Sequence, residues 1–164
     1  YFANQKNIYK CPSDKYVSVS QRSAGISERV RSVAANFYTG GHESQYTFGA
    51  PVDLGLELTP KTTQVTRPSD VFVYLDENAD SINDGAFFSP NNGKWYDMPA
   101  NYHSGAAGIA FVDGHSEIHR WQGSVKEIKI YYDNSPPWRS GTVSTSDKDY
   151  LWMREHTQRK PGVL

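Results

Sequence analysis

Hydrophobic and polar positions alternate along Val30 to Tyr38. Val30, Ser32 and Ala34 fall on one face, and Arg31, Val33 and Ala35 on the other. A period of two is what a pleated strand imposes. Val71-Phe72-Val73-Tyr74-Leu75 is the most apolar run of the chain. Its length and β-branched, aromatic content predict a central strand buried on both faces. Ala86-Phe87-Phe88 predicts a short strand. Two further runs, Ala107–Val112 and His115–Trp121, flank Asp113-Gly114. Asp-Gly between such runs signals a two-residue hairpin, because a type I′ turn takes positive φ at both positions. That register sets Phe111 beside Ser116 and Ile109 beside Ile118. Ile109, Phe111 and Ile118 then face the core, while Ala110, Val112, His115, Glu117, His119 and Trp121 share the other face.

The segments between are turns and loops. Cys11-Pro12-Ser13-Asp14, Arg67-Pro68-Ser69-Asp70 and Pro90-Asn91-Asn92-Gly93 carry turn chemistry, since Pro presets one dihedral and Asn, Asp and Ser bond back to the backbone. Residues 20–29 suit a turn or one short helix, 39–60 a long glycine-rich loop, 122–148 a polar connection, and 149–156 a short helix or strand. The expected fold is α+β and mainly β: an antiparallel sheet with long loops and at most a short helix, in one domain over residues 1–164.

Composition sharpens this picture. Hydrophobic residues are only 37% of the chain, yet aromatics reach 13%, with 11 Tyr. A core drawn from aromatic and β-branched residues favours strands. The net charge is −1 and no long basic run occurs, which argues against a nucleic-acid partner needing a phosphate-facing patch. No stretch approaches the ~20 apolar residues of a membrane span. The chain starts at Tyr1 without Met and reads as a fragment or processed product. Its single cysteine, Cys11, permits no internal disulfide; it suits a small core position, or a partner in a missing N-terminal segment.

Candidate chemistry is sparse. Asp76, Asn78, Asp80 and Asp84 have the alternating oxygen spacing of a calcium loop. Phe87 stands where such a loop carries its bidentate Glu, and a solvated acidic turn is the plain alternative. His103, Asp113 and His115 offer ligands for a borderline divalent ion, or simply an anchored loop and a turn. His115 and His119 would chelate on a helix, but on a strand they stand roughly 13 Å apart at ~3.3 Å per residue. Trp95, Tyr96, Trp121 and Trp138 could form an aromatic face for stacking on sugars or partners, or could cover the sheet. No nucleophile elbow, zinc-protease helix or phosphate loop is present. Glu77 paired with Asp84 or Asp113 is the one glycosidase-like combination, so an enzyme is the weaker expectation.

The spacing of His103 from Asp113-Gly114, together with Tyr9-Lys10-Cys11-Pro12-Ser13-Asp14, Phe72-Val73-Tyr74-Leu75-Asp76-Glu77, Asp80-Ser81-Ile82-Asn83-Asp84-Gly85 and Trp152-Met153-Arg154, resembles the prepilin-processing-associated H-x9-D-G family of Planctomycetes and Verrucomicrobia. The resemblance covers most of the chain. It implies a pilin-head-like fold related to type II secretion pseudopilins, some of which hold calcium in the head. It also implies other pilin-like subunits as partners, a periplasmic or extracellular setting, and membrane attachment only through an N-terminal helix that this sequence lacks. The expected role is a structural assembly subunit. A carbohydrate-binding module with polysaccharide as partner is the alternative, and a glycoside hydrolase a further one.

Overall fold

The computed structural model describes residues 5–39, 58–59, 61–132 and 136–159. Most of the expected loop over 39–60 lies outside the described residues. Five strands form one mixed sheet: β1 (Val33–Asn36), β2 (Phe72–Asp76), β3 (Ala86–Phe87), β4 (Ala106–Phe111) and β5 (Ser116–Arg120), in the order β3-β1-β2-β4-β5. Three α-helical pieces accompany it: α1 (Val19–Ser23), α2 (Pro137–Ser140) and α3 (Lys148–Glu155). The fold is α+β and mainly β. It departs from a purely antiparallel sheet at one place, because β3 runs parallel to β1. No helix among the described residues is long and apolar enough to cross a membrane.

β2 is central, yet only one of its faces is buried. Phe72 and Leu75 lie in the core while Tyr74 is half exposed. Two core residues three positions apart break the period of two. A bulge at Val73 explains it: Phe72 pairs with Phe111, whereas Tyr74 and Leu75 pair with Ala110 and Ile109. The extra residue lets Phe72 and Leu75 point the same way. The expectation of burial on both faces is therefore corrected. Val33, Tyr74, Gly108, Ala110 and Ile118 line the open side of the sheet.

The β4–β5 hairpin exists, but with a different turn. Ala110 pairs with Ser116 and Ile109 with Glu117, one residue away from the expected register. Phe111 accepts from the Gly114 amide and donates to the His115 carbonyl, so three residues, Val112-Asp113-Gly114, make the loop. Gly114 alone is left-handed there, at φ 96°. This is the three-residue hairpin that ends in a glycine bulge. The slip turns β5 over: Ile118 is 61% exposed, and His119 and Trp121 take the inner side. The type I′ turn occurs instead at Asn92-Gly93, where φ is 49° and 67° and Asn91 and Lys94 exchange both backbone hydrogen bonds.

The core lies between the inner sheet face, α3 and the segments around 95–100 and 121–128. Phe72, Leu75, Phe87, Ile109, Phe111, Trp121, Tyr150 and Met153 belong to it. So do Trp95 and Trp138, while Tyr96 is half-buried. The expected aromatic face built on Trp95, Tyr96, Trp121 and Trp138 is thus core packing, with the Trp121 indole donating to the Ala100 carbonyl at 2.8 Å.

Carboxylates fasten α3. Asp147 caps it by accepting from the amides of Asp149 and Tyr150, and also accepts from Ser124. Asp149, fully buried, accepts from the amides of Gln122 and Val125. Gly123 makes this approach feasible, because a Cβ there would sit 2.6 Å from an Asp147 carboxylate oxygen.

Candidate functional site

Three side chains far apart in sequence meet at the sheet's β2–β4 side. Cys11 comes from the entry turn, Asp76 from the end of β2, and His103 from the loop before β4. One ligand atom of each lies within 4.8 Å of the other two, the only such trio of His, Cys, Asp or Glu among the described residues. His103 Nε2 is 3.3 Å from Cys11 Sγ and 3.4 Å from Asp76 Oδ2.

Local structure aims each of them. The Cys11 amide donates to Ser32 Oγ, and its carbonyl accepts from the Asp14 amide, closing the Cys-Pro-Ser-Asp turn. Asp76 Oδ2 accepts from the Gly108 amide at 2.9 Å. Gly108 is required at that point, since a Cβ would lie 2.9 Å from the same oxygen. His103 sits in a tight turn in which Ser104 and Gly105 are both left-handed, at φ 55° and 82°. A non-glycine residue in that region carries strain, a recurrent property of sites held in place by their surroundings. The His103 amide donates to the Ala106 carbonyl, which fixes the turn to the start of β4.

Cys11 and Asp76 are buried and His103 is partly exposed. Burial pushes the Asp76 carboxyl up, opposed by the Gly108 amide and His103. Burial also pushes the Cys11 thiol up, opposed by hydrogen bonds from Ser13. Next to Asp76, Glu77 is fully buried and pushed up to about 9, first by burial and then by the charge of Asp97. Its carboxyl accepts from Ser81 Oγ. A carboxyl sealed from solvent has no route to a glycosidic bond, so the pairing of Glu77 with Asp84 or Asp113 has no basis in this fold.

The acidic loop directs two of its candidate oxygens to its own backbone and one to a distant segment. Asn78 Oδ1 accepts from the Asp80 amide, Asp84 Oδ1 from the Ala86 amide, and Asp80 Oδ2 from the Tyr131 amide. Asp76 faces Cys11 and His103 instead. Asn78 and Asp84 thus close Asx-type turns, Asp80 reaches the segment at Tyr131, and Asp76 joins the three-residue cluster.

The other motif residues separate. Asp113 accepts from the amide of His115 and contacts its ring at 2.6 Å, and the amide holds the Asp113 carboxyl below the usual range. His115 stacks on Phe111. His119 stacks on Trp152, which stacks on His156. So His103 and Asp113 serve different places: one the cluster, the other the hairpin turn. From the sequence alone, Cys11 suits a packing position or a disulfide with a partner in a missing N-terminal segment. No spacing rule joins positions 11, 76 and 103, although all three lie in segments that carry the family resemblance. Comparison with protein-family models, curated proteins and solved structures found no match.

Proposed function

We propose that the chain is the head of a pseudopilin-like assembly subunit, working on the periplasmic or extracellular side beside other pilin-like subunits and held to the membrane through a helix outside this sequence. One observation carries the reading: the residues behind the resemblance are spent on architecture. Cys11, Asp76 and His103 tie the entry segment and the pre-β4 loop to the sheet. Asp14, from the same entry turn, forms a buried ion pair with Arg29 at 2.6 Å, and Arg29 also donates to Tyr102. Asp113-Gly114 turns the hairpin, and Trp152 packs α3 on β5. A part that assembles needs a rigid scaffold more than a cleft. The aromatic residues offered for sugar stacking are largely buried, which weakens the carbohydrate reading.

The test is fractionation of tagged, full-length protein in the cells that make it. Recovery with the membrane or sheared surface filaments, together with other pilin-like subunits, is the expected result. A monomer confined to the soluble fraction would sink the proposal. So would turnover of a polysaccharide that disappears in Glu77→Gln.

A further inference from the structure

We infer that Cys11 Sγ, Asp76 Oδ2 and His103 Nε2 form a three-ligand site for a thiophilic divalent cation, zinc in the first instance, with a fourth position open to solvent. The inference stands on geometry and does not depend on the assembly reading.

The decisive feature is that thiol and carboxylate address the same ring nitrogen. In a nucleophilic Cys-His-Asp arrangement the two partners sit on opposite ring nitrogens, one to be activated and one to orient. Here Nε2 faces both. As an N–H it donates to one neighbour, while the Cys11 thiol donates to the Asp76 carboxylate. As a lone pair it accepts from the thiol while facing the carboxylate's own lone pairs. A cation at the centre would replace these protons and take a lone pair from each of the three atoms.

The spacing agrees. Tetrahedral zinc with bonds of about 2.3 Å to sulfur and about 2.0–2.1 Å to nitrogen and oxygen separates its ligands by about 3.5 Å for S···N and about 3.4 Å for N···O. The observed separations are 3.3 Å and 3.4 Å. The supports described above are those expected around a metal: the Gly108 amide on the ligating carboxylate oxygen, the strained turn under His103, and the Ser32 hydroxyl under Cys11. Outer contacts of this kind orient ligands. A thiolate ligand discriminates against calcium and magnesium, which take oxygen. His103 is the partly exposed member of the three, and its side is the one from which water could complete the coordination. On binding, the thiol proton leaves to solvent; sulfur, Nε2 and the ionised Asp76 Oδ2 each donate an electron pair, and Nδ1 carries the imidazole proton. The product is a cross-link between segments 92 residues apart, in a chain whose single cysteine forbids an internal disulfide.

The experiment titrates metal-free full chain with cobalt(II), then zinc. One equivalent of cobalt should give a thiolate-to-metal charge-transfer band and visible bands of tetrahedral intensity, both bleached by zinc. Cys11→Ser should lose the charge-transfer band. Asp76→Asn and His103→Gln should weaken binding at least by the about 10–100-fold that loss of an outer-shell partner costs. Zinc should also slow alkylation of Cys11 and raise the melting temperature of the unaltered chain, whereas calcium should do neither. That second readout needs no variant to fold. The inference falls if zinc leaves the alkylation rate unchanged, if calcium protects equally, or if His103→Gln binds cobalt as tightly as the unaltered chain.

Discussion

Two residues show how much one position can decide. Gly114 has open space around its Cα but a φ of 96°. Gly114→Val therefore meets no neighbour and is opposed by backbone alone, which predicts a loss of about 1–2 kcal/mol. Gly114→Asn should lose less, since Asn tolerates the left-handed region. Denaturant midpoints of the two variants check this, and equal losses would mean that the turn relaxes to another form. Trp121 decides between two readings of the aromatic surplus. On a binding face its removal would cost little stability. It is fully buried, with its indole N–H bonded to Ala100, so Trp121→Ala should destabilise by about 3–5 kcal/mol. A melting curve unmoved by the change would restore it to the surface. Asp113-Gly114 announces a turn in the sequence but not the class of turn. Two-residue and three-residue hairpins share the Asp-Gly signal, and the difference lies in whether Asp113 takes positive φ, which it does not.

Among elements, α3 and the β4–β5 hairpin are joined by rings. His115 stacks on Phe111, His156 on Trp152, and Trp152 on His119, which meets Trp121 edge-on. Burial pushes both His119 and His156 down. Glu117 and Asp149 act against this at His119, where His156 adds to it; the Trp152 carbonyl, Asp70, Glu155 and Glu117 act against it at His156. A depressed histidine binds its proton more readily in the unfolded chain. Its contribution to stability is complete above about pH 6.5 and is lost as pH falls toward the folded value. Relative to His156→Gln, the unaltered chain should therefore lose stability on acidification from pH 7.5 to 5.5, measured as the difference between two unfolding curves. The opposite sign would mean that the imidazolium is held on the Trp152 face as a cation. These contacts illustrate where sequence patterns stop. Period-two alternation locates β1, an unbroken apolar run locates β2, and Asp-Gly between two runs locates the hairpin, because each reflects local geometry. The bulge at Val73, the parallel β1–β3 pair and the Cys11–Asp76–His103 meeting depend on which distant segment lies alongside, and no local pattern records that.

At the scale of the whole molecule, the closures differ greatly in span. The β4–β5 hairpin closes through three residues, whereas β1 pairs with β3 about fifty residues on, and Cys11 reaches His103 across 92. Short loops cost less entropy to close and form sooner. Pulse-labelled hydrogen exchange during refolding should protect amides of 106–120 before those of β1 and the Cys11 turn. Simultaneous protection everywhere would remove this ordering. The same span has a meaning during synthesis. Cys11 is made 92 residues before the histidine it meets, and β4 follows later still. Until His103 and β4 have left the ribosome, the thiol lacks the partner it meets in the fold and stays open to oxidation and to capture by other thiols. The contact between Cys11 and His103 is thus a record of docking: a thiol that reacts as fast as a free one marks a chain in which His103 has not yet arrived or not yet docked.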